Sequence, residues 1–392
     1  MRLEGKKRKS VNGRILTILL FLAVASQFDG AAFESIAKVT MYGVWIAVFC
    51  LYCFTQKRIY KTRYVLIGML AMAFLVAERI LASFIITDYN PPIVTPFITS
   101  LLFYIVGMFF FKNGLSSKDL QESFTVYCVV CALLGLYIWL NFYGDIGAWF
   151  NTDVNIYGKK NSAGQIMAVG VLSALFYLPH QKLASKIFKI IVCGGLAFMI
   201  MIIHCRTALL ALSMAIIAYL YLLTSRRQKK IIVLGIPVIL IILFSIPSFR
   251  TLISQALYIS KYTETENFTI NAFTSNRFDW FEAAYGKFIQ SEVTIFLGIG
   301  RSYVDNLFIN VLTSSGVIGF IIIVIVYVNR FYTNFKYSII SKEFKLLKVL
   351  SFFYIVESLA EGLPPFGPGA ASVVFWLLCG YCDILYKAGE SS

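Results

Sequence analysis

The chain has 392 residues, of which 59% are apolar and only 14% carry charge. That excludes an ordinary soluble domain, whose surface needs more charge to cover it. The formal net charge of +15 is spread over short segments between apolar runs, which points to membrane topology and away from nucleic acid.

Apolar runs recur along the whole chain, at roughly 15–28, 39–54, 64–86, 97–111, 124–143, 161–178, 187–203, 207–224, 231–246, 303–329, 345–360 and 371–386. Each is near the ~20 residues that a bilayer crossing needs. The expectation is an all-α, polytopic membrane protein of about 12 transmembrane helices, forming a single integral membrane domain over 1–392. The first run follows Arg2, Lys6, Lys7, Arg8, Lys9 and Arg14 in the manner of a signal peptide. Ser26-Gln27-Phe28-Asp29 is a poor cleavage site, however, so the run reads as a retained helix.

With the N-terminus inside, most Lys and Arg fall on the inner side, in the N-terminal segment, 57–63, 112–118, 182–189, 226–230, 330–348 and at Lys387. Both termini are then cytoplasmic by the positive-inside rule. Lys38, Lys159, Lys160, Arg206, Arg250, Lys261, Arg277, Lys287 and Arg301 fall outside and need another reason. The long outer segment 247–302 exceeds a mere connection. In it Ser275-Asn276 is placed to cap a short helix in which Phe278, Phe281, Ala284/Tyr285 and Phe288 share a face. With Trp280 as an anchor, it reads as an amphipathic helix on the outer leaflet. Three Cys-x-x-Cys pairs, at 50/53, 128/131 and 379/382, all lie in apolar runs, where cysteine is a small hydrophobe. No metal site and no cofactor are expected.

The sixth, eighth and tenth runs travel inward, so their N-termini face out, and each starts at polar or basic residues. These are Lys159-Lys160-Asn161-Ser162, Arg206-Thr207, and Arg301-Ser302 with Asp305-Asn306 one turn on. A helix N-terminus presents unsatisfied N–H groups and the positive end of its dipole. Three such ends brought together would form an anion site, for which the planar guanidinium is suited. Arg277 is placed to close the site from the loop helix. Asp305 and Asn306 read equally as helix caps or as groups acting on substrate, and Arg301 with Asp305 also fits an ordinary i, i+4 surface pair. Glu78-Arg79 lies inside an apolar run, where sequence neighbours do not face each other. His204 reads as a structural histidine or a base, and Glu357 and Glu361 as reserve acids.

Gly-Lys-Lys-Asn-Ser-Ala-Gly at 158–164, Cys-Arg-Thr-Ala-Leu-Leu-Ala-Leu at 205–212, Asn-Arg-Phe-Asp-Trp at 276–280, and Leu-Gly-Ile-Gly followed by Asp305-Asn306 and Gly316-Val-Ile-Gly319 together resemble the O-antigen ligase/polymerase (Wzy-type) superfamily. The resemblance covers about 155–325. It implies a GT-C-like membrane glycosyltransferase of the bacterial plasma (inner) membrane, with its active site on the periplasmic or outer face. Undecaprenyl-diphosphate-linked glycan would be both donor and acceptor, membrane lipid would surround the chain, and a chain-length regulator would be a partner. The resemblance carries catalytic roles to Asp305, Arg277 and Arg301. Substrate binding falls to Lys160, Asn161, His204, Arg206, Asn306 and Gly316. Superfamily ligases have His-Asn or His-Ser where this chain has Asp305-Asn306, and His204-Cys205 stands where Ser is more common. The first departure favours a repeat-unit polymerase for O-antigen or capsule polysaccharide over a ligase acting on lipid A core or protein. A flippase for the same lipid-linked oligosaccharide is the alternative outside the class.

Overall fold

The computed structural model describes residues 11–55, 63–86, 89–92, 94–143, 157–179, 182–223, 245–247, 250, 277–337, 341–367 and 369–390. Among these residues there are helices and no strand. They are α1 (Val11–Ala25), α2 (Glu34–Thr55), α3 (Arg63–Ile85), α4 (Thr95–Lys112), α5 (Ser117–Phe142), α6 (Lys160–Tyr177), α7 (Leu183–Ile202), α8 (Arg206–Leu223), α9 (Arg277–Phe288), α10 (Glu292–Leu297), α11 (Leu307–Lys336), α12 (Lys342–Ala360) and α13 (Gly369–Glu390).

The helices make a polytopic membrane protein. By length and composition, α2, α3, α4, α5, α7, α11 and α13 can each cross a bilayer, seven in all among the described residues. The other runs among the expected 12 or so are not among these seven. α1 and α8 are apolar but short, and most of the 231–246 run lies outside the described residues. α6 begins with Lys160, Asn161, Ser162 and Gln165, and α12 carries Lys342, Glu343, Lys345, Lys348 and Glu357, which dilutes the apolar content of both.

α13 is the most enclosed of these seven, packed mainly on α4. The two backbones touch through glycines. A Cβ on Gly107 would strike the Leu377 carbonyl, and one on Gly380 the Tyr104 carbonyl. Close crossing at small residues is how helices associate where lipid removes the hydrophobic drive. α2 and α3, by contrast, leave Val39, Ile46, Phe54, Met69, Phe74 and Phe84 exposed, as a lipid-facing surface would.

α11 is not continuous. Gly316 has φ 63° and ψ −173°, a conformation open to glycine, and a side chain there would collide with Phe296 and Gly298. The break frees the carbonyls of Thr313 and Ser314 from their helical partners. The strand-like stretch after α10 replaces those partners, Ile299 N donating to Thr313 O (2.8 Å) and Gly300 N to Ser314 O (3.2 Å). Irregular backbone inside a membrane bundle survives where protein satisfies it in this way.

The basic residues of 330–348 all lie on helices, Arg330 and Lys336 on α11 and Lys342, Lys345 and Lys348 on α12. Arg330, in the second-to-last turn of α11, is fully buried. The longer helix carries it inside, where it forms an ion pair with Asp383 of α13 at 2.9 Å.

Candidate active site

The C-terminal end of α12 is where the polar ends of several helices meet. Its last carbonyls lack helical partners, and side chains from other elements supply them. Asn306 Nδ2 donates to Leu359 O (2.8 Å), Arg277 Nη1 to Ala360 O (2.8 Å), and Asn310 Nδ2 to Gly362 O (2.9 Å). Asn306 also caps α11, its Oδ1 accepting from Phe308 N and Ile309 N at 3.0 Å. Asn306 and not Asp305 is therefore the cap.

Glu361, only 4% exposed, sits at the hub. Its Oε1 lies 3.6 Å from Arg277 Nη2. Its Oε2 accepts from Asn161 Nδ2 (3.2 Å) and from the Tyr303 hydroxyl (3.4 Å). One turn deeper, Gln165 Nε2 donates to Glu357 Oε2 at 3.0 Å. Asn161 and Gln165 are i, i+4 on α6, and Glu357 and Glu361 bear the same spacing on α12, so the two helices are joined by two amide–carboxylate rungs. Burial pushes the Glu361 carboxyl up to about 7; the nearby Asp305 pushes the same way, while Arg277, Tyr303 and Lys160 pull down.

A cavity of about 400 Å³ opens on this hub, lined by Lys160, Asn161, Ser162, Gln165, Tyr303 and Glu361 among others. Lys160 is near enough to Arg206, Arg277 and Glu361 to feel the charge of each. Cys205 Sγ lies 3.9 Å from Asn161 Oδ1, which ties the start of α8 to the start of α6. The first turn of α6, the entry to α11 and the end of α12 thus line one cavity, and Arg206 of α8 and Arg277 of α9 stand near enough to act on Lys160 at its wall.

The other sequence candidates are placed as follows. Asp305 bonds Arg277 Nε at 3.0 Å and does not line the cavity. It does not pair with Arg301, because 301–306 is not helical. Lys159 also lines the cavity, but its amine is tied to Glu34, to Asp29 and to Ser26 O, all around the α1–α2 turn. His204 is buried in the α7–α8 turn at φ 52° and lines neither this cavity nor the one described next. Gly316 sits at the α11 break against Phe296 and Gly298, so its place is in the backbone fit and not at a ligand surface. Ser275 and Asn276 lie outside the described residues, but α9 itself begins at Arg277, with Ala284 and Phe288 buried and Phe278, Trp280 and Tyr285 exposed.

Arg301 does not line this cavity. It lines a second cavity of about 450 Å³ beside the first, together with Arg79, Ser302, Tyr303, Asn310 and Ser315. Tyr303 and Leu363 border both. Arg79 is 6% exposed. It does reach its sequence neighbour Glu78 (3.1 Å), because the long side chain folds back, and it also bonds Leu75 O, Pro92 O and Ser315 Oγ.

Comparison with protein-family models gives no match, and comparison with curated proteins gives none. The chemistry therefore has to be argued from this geometry. Sequence reasoning underrated Glu361 and missed Gln165 and Tyr303. The matched i, i+4 spacings at 161/165 and 357/361 are the signal that could have found them. Arg79 carried the plainer signal of a charge inside an apolar run.

Proposed function

We propose that the protein is an integral membrane glycosyltransferase that joins undecaprenyl-diphosphate-linked oligosaccharide repeats, with about 12 crossings in a GT-C-like arrangement and its site on the outer side of the plasma membrane. The observation that carries this reading is a cavity walled by Lys160 and the buried carboxylate of Glu361, with Arg277 paired to that carboxylate and Arg206 near Lys160. A cationic rim suits a lipid diphosphate, and a carboxyl whose pKa lies near 7 suits proton transfer from a sugar hydroxyl.

In the proposed step the acceptor hydroxyl oxygen attacks the anomeric carbon of the donor. The bond from that carbon to the phosphate oxygen breaks, and its electron pair leaves with undecaprenyl diphosphate. The hydroxyl proton passes to Glu361. Lys160, Arg206 and Arg277 oppose the charge that grows on the leaving phosphate; loss of one such group typically costs ~3–4 kcal/mol of barrier. Asp305, to which the resemblance carries a catalytic role, acts here as the group that orients Arg277, since it bonds that guanidinium.

The test uses purified protein in detergent with lipid-linked repeats as both substrates. Wild type is expected to build a ladder of lengths, and Arg277→Ala to leave single repeats on the carrier. A wild-type preparation that moves lipid-linked repeats across a bilayer but makes no new bond would instead support the flippase reading. An unchanged ladder from Arg277→Ala would remove Arg277 from the mechanism.

A further inference from the structure

The second cavity has the wrong chemistry to be an extension of the first. Among its lining residues the unspent groups are hydrogen-bond donors. Arg301 is exposed, and its guanidinium makes no hydrogen bond or ion pair among the described residues. Ser302 Oγ is buried without a partner. Arg79 has five N–H bonds, and four are used, on Pro92 O, Leu75 O, Glu78 and Ser315 Oγ. The fifth, on Nη2, is left over. Two acceptors at the wall are engaged: Asn310 Oδ1 receives Val304 N at 3.1 Å, and Ser315 Oγ receives Arg79. Glu78 braces the back of Arg79 and is not part of the lining. A cavity whose lining holds two guanidinium groups and a partnerless hydroxyl but no carboxylate is complementary to an anion rich in oxygen.

This inference rests on the proposed function, in which both substrates are lipid diphosphates. We infer that the Arg79–Arg301 cavity is a second lipid-diphosphate site, which holds the phosphates of the acceptor while those of the donor lie at Lys160, Arg206 and Arg277. The α11 break builds the site. It turns Ser315 towards Arg79 and brings the 298–304 stretch, with Arg301 and Ser302, against α11. The shared wall at Tyr303 and Leu363 puts the two headgroups side by side, so the acceptor glycan reaches Glu361 by folding across that wall. A ligase, whose acceptor carries no lipid diphosphate, has no use for this second site.

The experiment is native mass spectrometry of the full chain in detergent with undecaprenyl diphosphate as the probe. Wild type is expected to hold two copies, Arg301→Glu one, Lys160→Glu one, and the double variant none. Arg301 makes no side-chain bond, so its substitution does not threaten the fold, and a melting curve close to wild type checks that. With lipid-linked repeats, Arg301→Glu is expected to raise KM at least tenfold with kcat changed less than threefold, which a merely structural role would not produce. One copy on wild type, lost in Lys160→Glu and kept in Arg301→Glu, overturns this inference and leaves the proposed function standing. No copy on wild type, with both variants unchanged, overturns both. Inorganic diphosphate alone binding as tightly as the lipid, and lost in Arg301→Glu, overturns the lipid occupant in favour of a soluble anion.

Discussion

Two clusters of buried charge can be set side by side in this protein. At one, Arg330 of α11 donates to both carboxylate oxygens of Asp383 at 2.9 Å, while Asn334, Tyr337 and Tyr104 complete the set and the rings of Tyr64 and Tyr104 flank the guanidinium. At the other, Arg277 is shared among Asp305, Glu361 and Ala360 O, and Glu361 opens on a cavity. The residue types are the same. The first cluster is closed and contains only groups that serve one another. The second includes a carboxylate whose pKa is displaced to about 7 and a lysine, Lys160, whose amine has no hydrogen-bonded partner among the described residues. What separates scaffold from site is not charge in the membrane, which both have, but charge that faces space.

The largest expected effect breaks the closed cluster. Asp383→Ala leaves the Arg330 charge buried and unmatched, a loss of ~3–5 kcal/mol in comparable soluble cases. The protein is expected to lose most of its folded yield in detergent, measured by size-exclusion recovery. Replacing both partners, Arg330→Met with Asp383→Leu, is expected to restore yield, because a well-packed apolar pair replaces a buried ion pair at little cost. If the double variant stays unfolded, the closed cluster is more than a scaffold.

The open cluster is expected to respond in the opposite way. Glu361→Gln keeps the bonds to Asn161 and Tyr303 within reach, so yield and melting temperature should stay near wild type. Bond formation should fall by ~10²–10⁴, the usual contribution of a general base, read as initial rate with lipid-linked repeats. A variant that folds poorly yet keeps its rate would place Glu361 with Arg330 and Asp383 instead.

pH sharpens the same comparison. Glu361 works as a base only when ionised, so the rate should rise about tenfold per unit below pH about 7 and level off above it. In Glu361→Gln this limb should vanish. Stability carries the opposite sign. A carboxyl raised above its ordinary value favours the folded state in its protonated form, so that contribution is complete at low pH and is lost as pH rises through about 7. Melting curves of wild type against Glu361→Gln between pH 5 and 8.5 measure it.

Part of this arrangement was legible in the sequence. Apolar runs gave the helical membrane class because in lipid the backbone has to satisfy itself within each segment. Polar residues at the starts of α6, α8 and α11 were visible because charge at a helix mouth stands out against an apolar background. The two-cavity division was not visible. It depends on the break at Gly316 and on the 298–304 stretch lying against α11, which are tertiary facts. Glu361 was passed over for a similar reason: its partners come from α6, α9 and the segment before α11, and no local pattern joins them.

The smallest expected effect tests the frame between the clusters. Asn306 spends both ends of its amide, the oxygen on the first turn of α11 and the nitrogen on Leu359 O of α12. Asn306→Ala removes the cap, which typically costs ~1 kcal/mol, and frees a carbonyl next to Ala360, where Arg277 also bonds. Melting should drop by only a few degrees. The rate should fall more than that loss of stability implies, since the residues that hold Arg277 and Glu361 would sit less firmly. Asn306→Asp keeps the cap but cannot donate to Leu359 O. Its rate should therefore lie near that of Asn306→Ala and its melting temperature near wild type. Equal rates for Asn306→Asp and wild type would show that the α12 end is held without this bond, and that the open cluster is as rigid as the closed one.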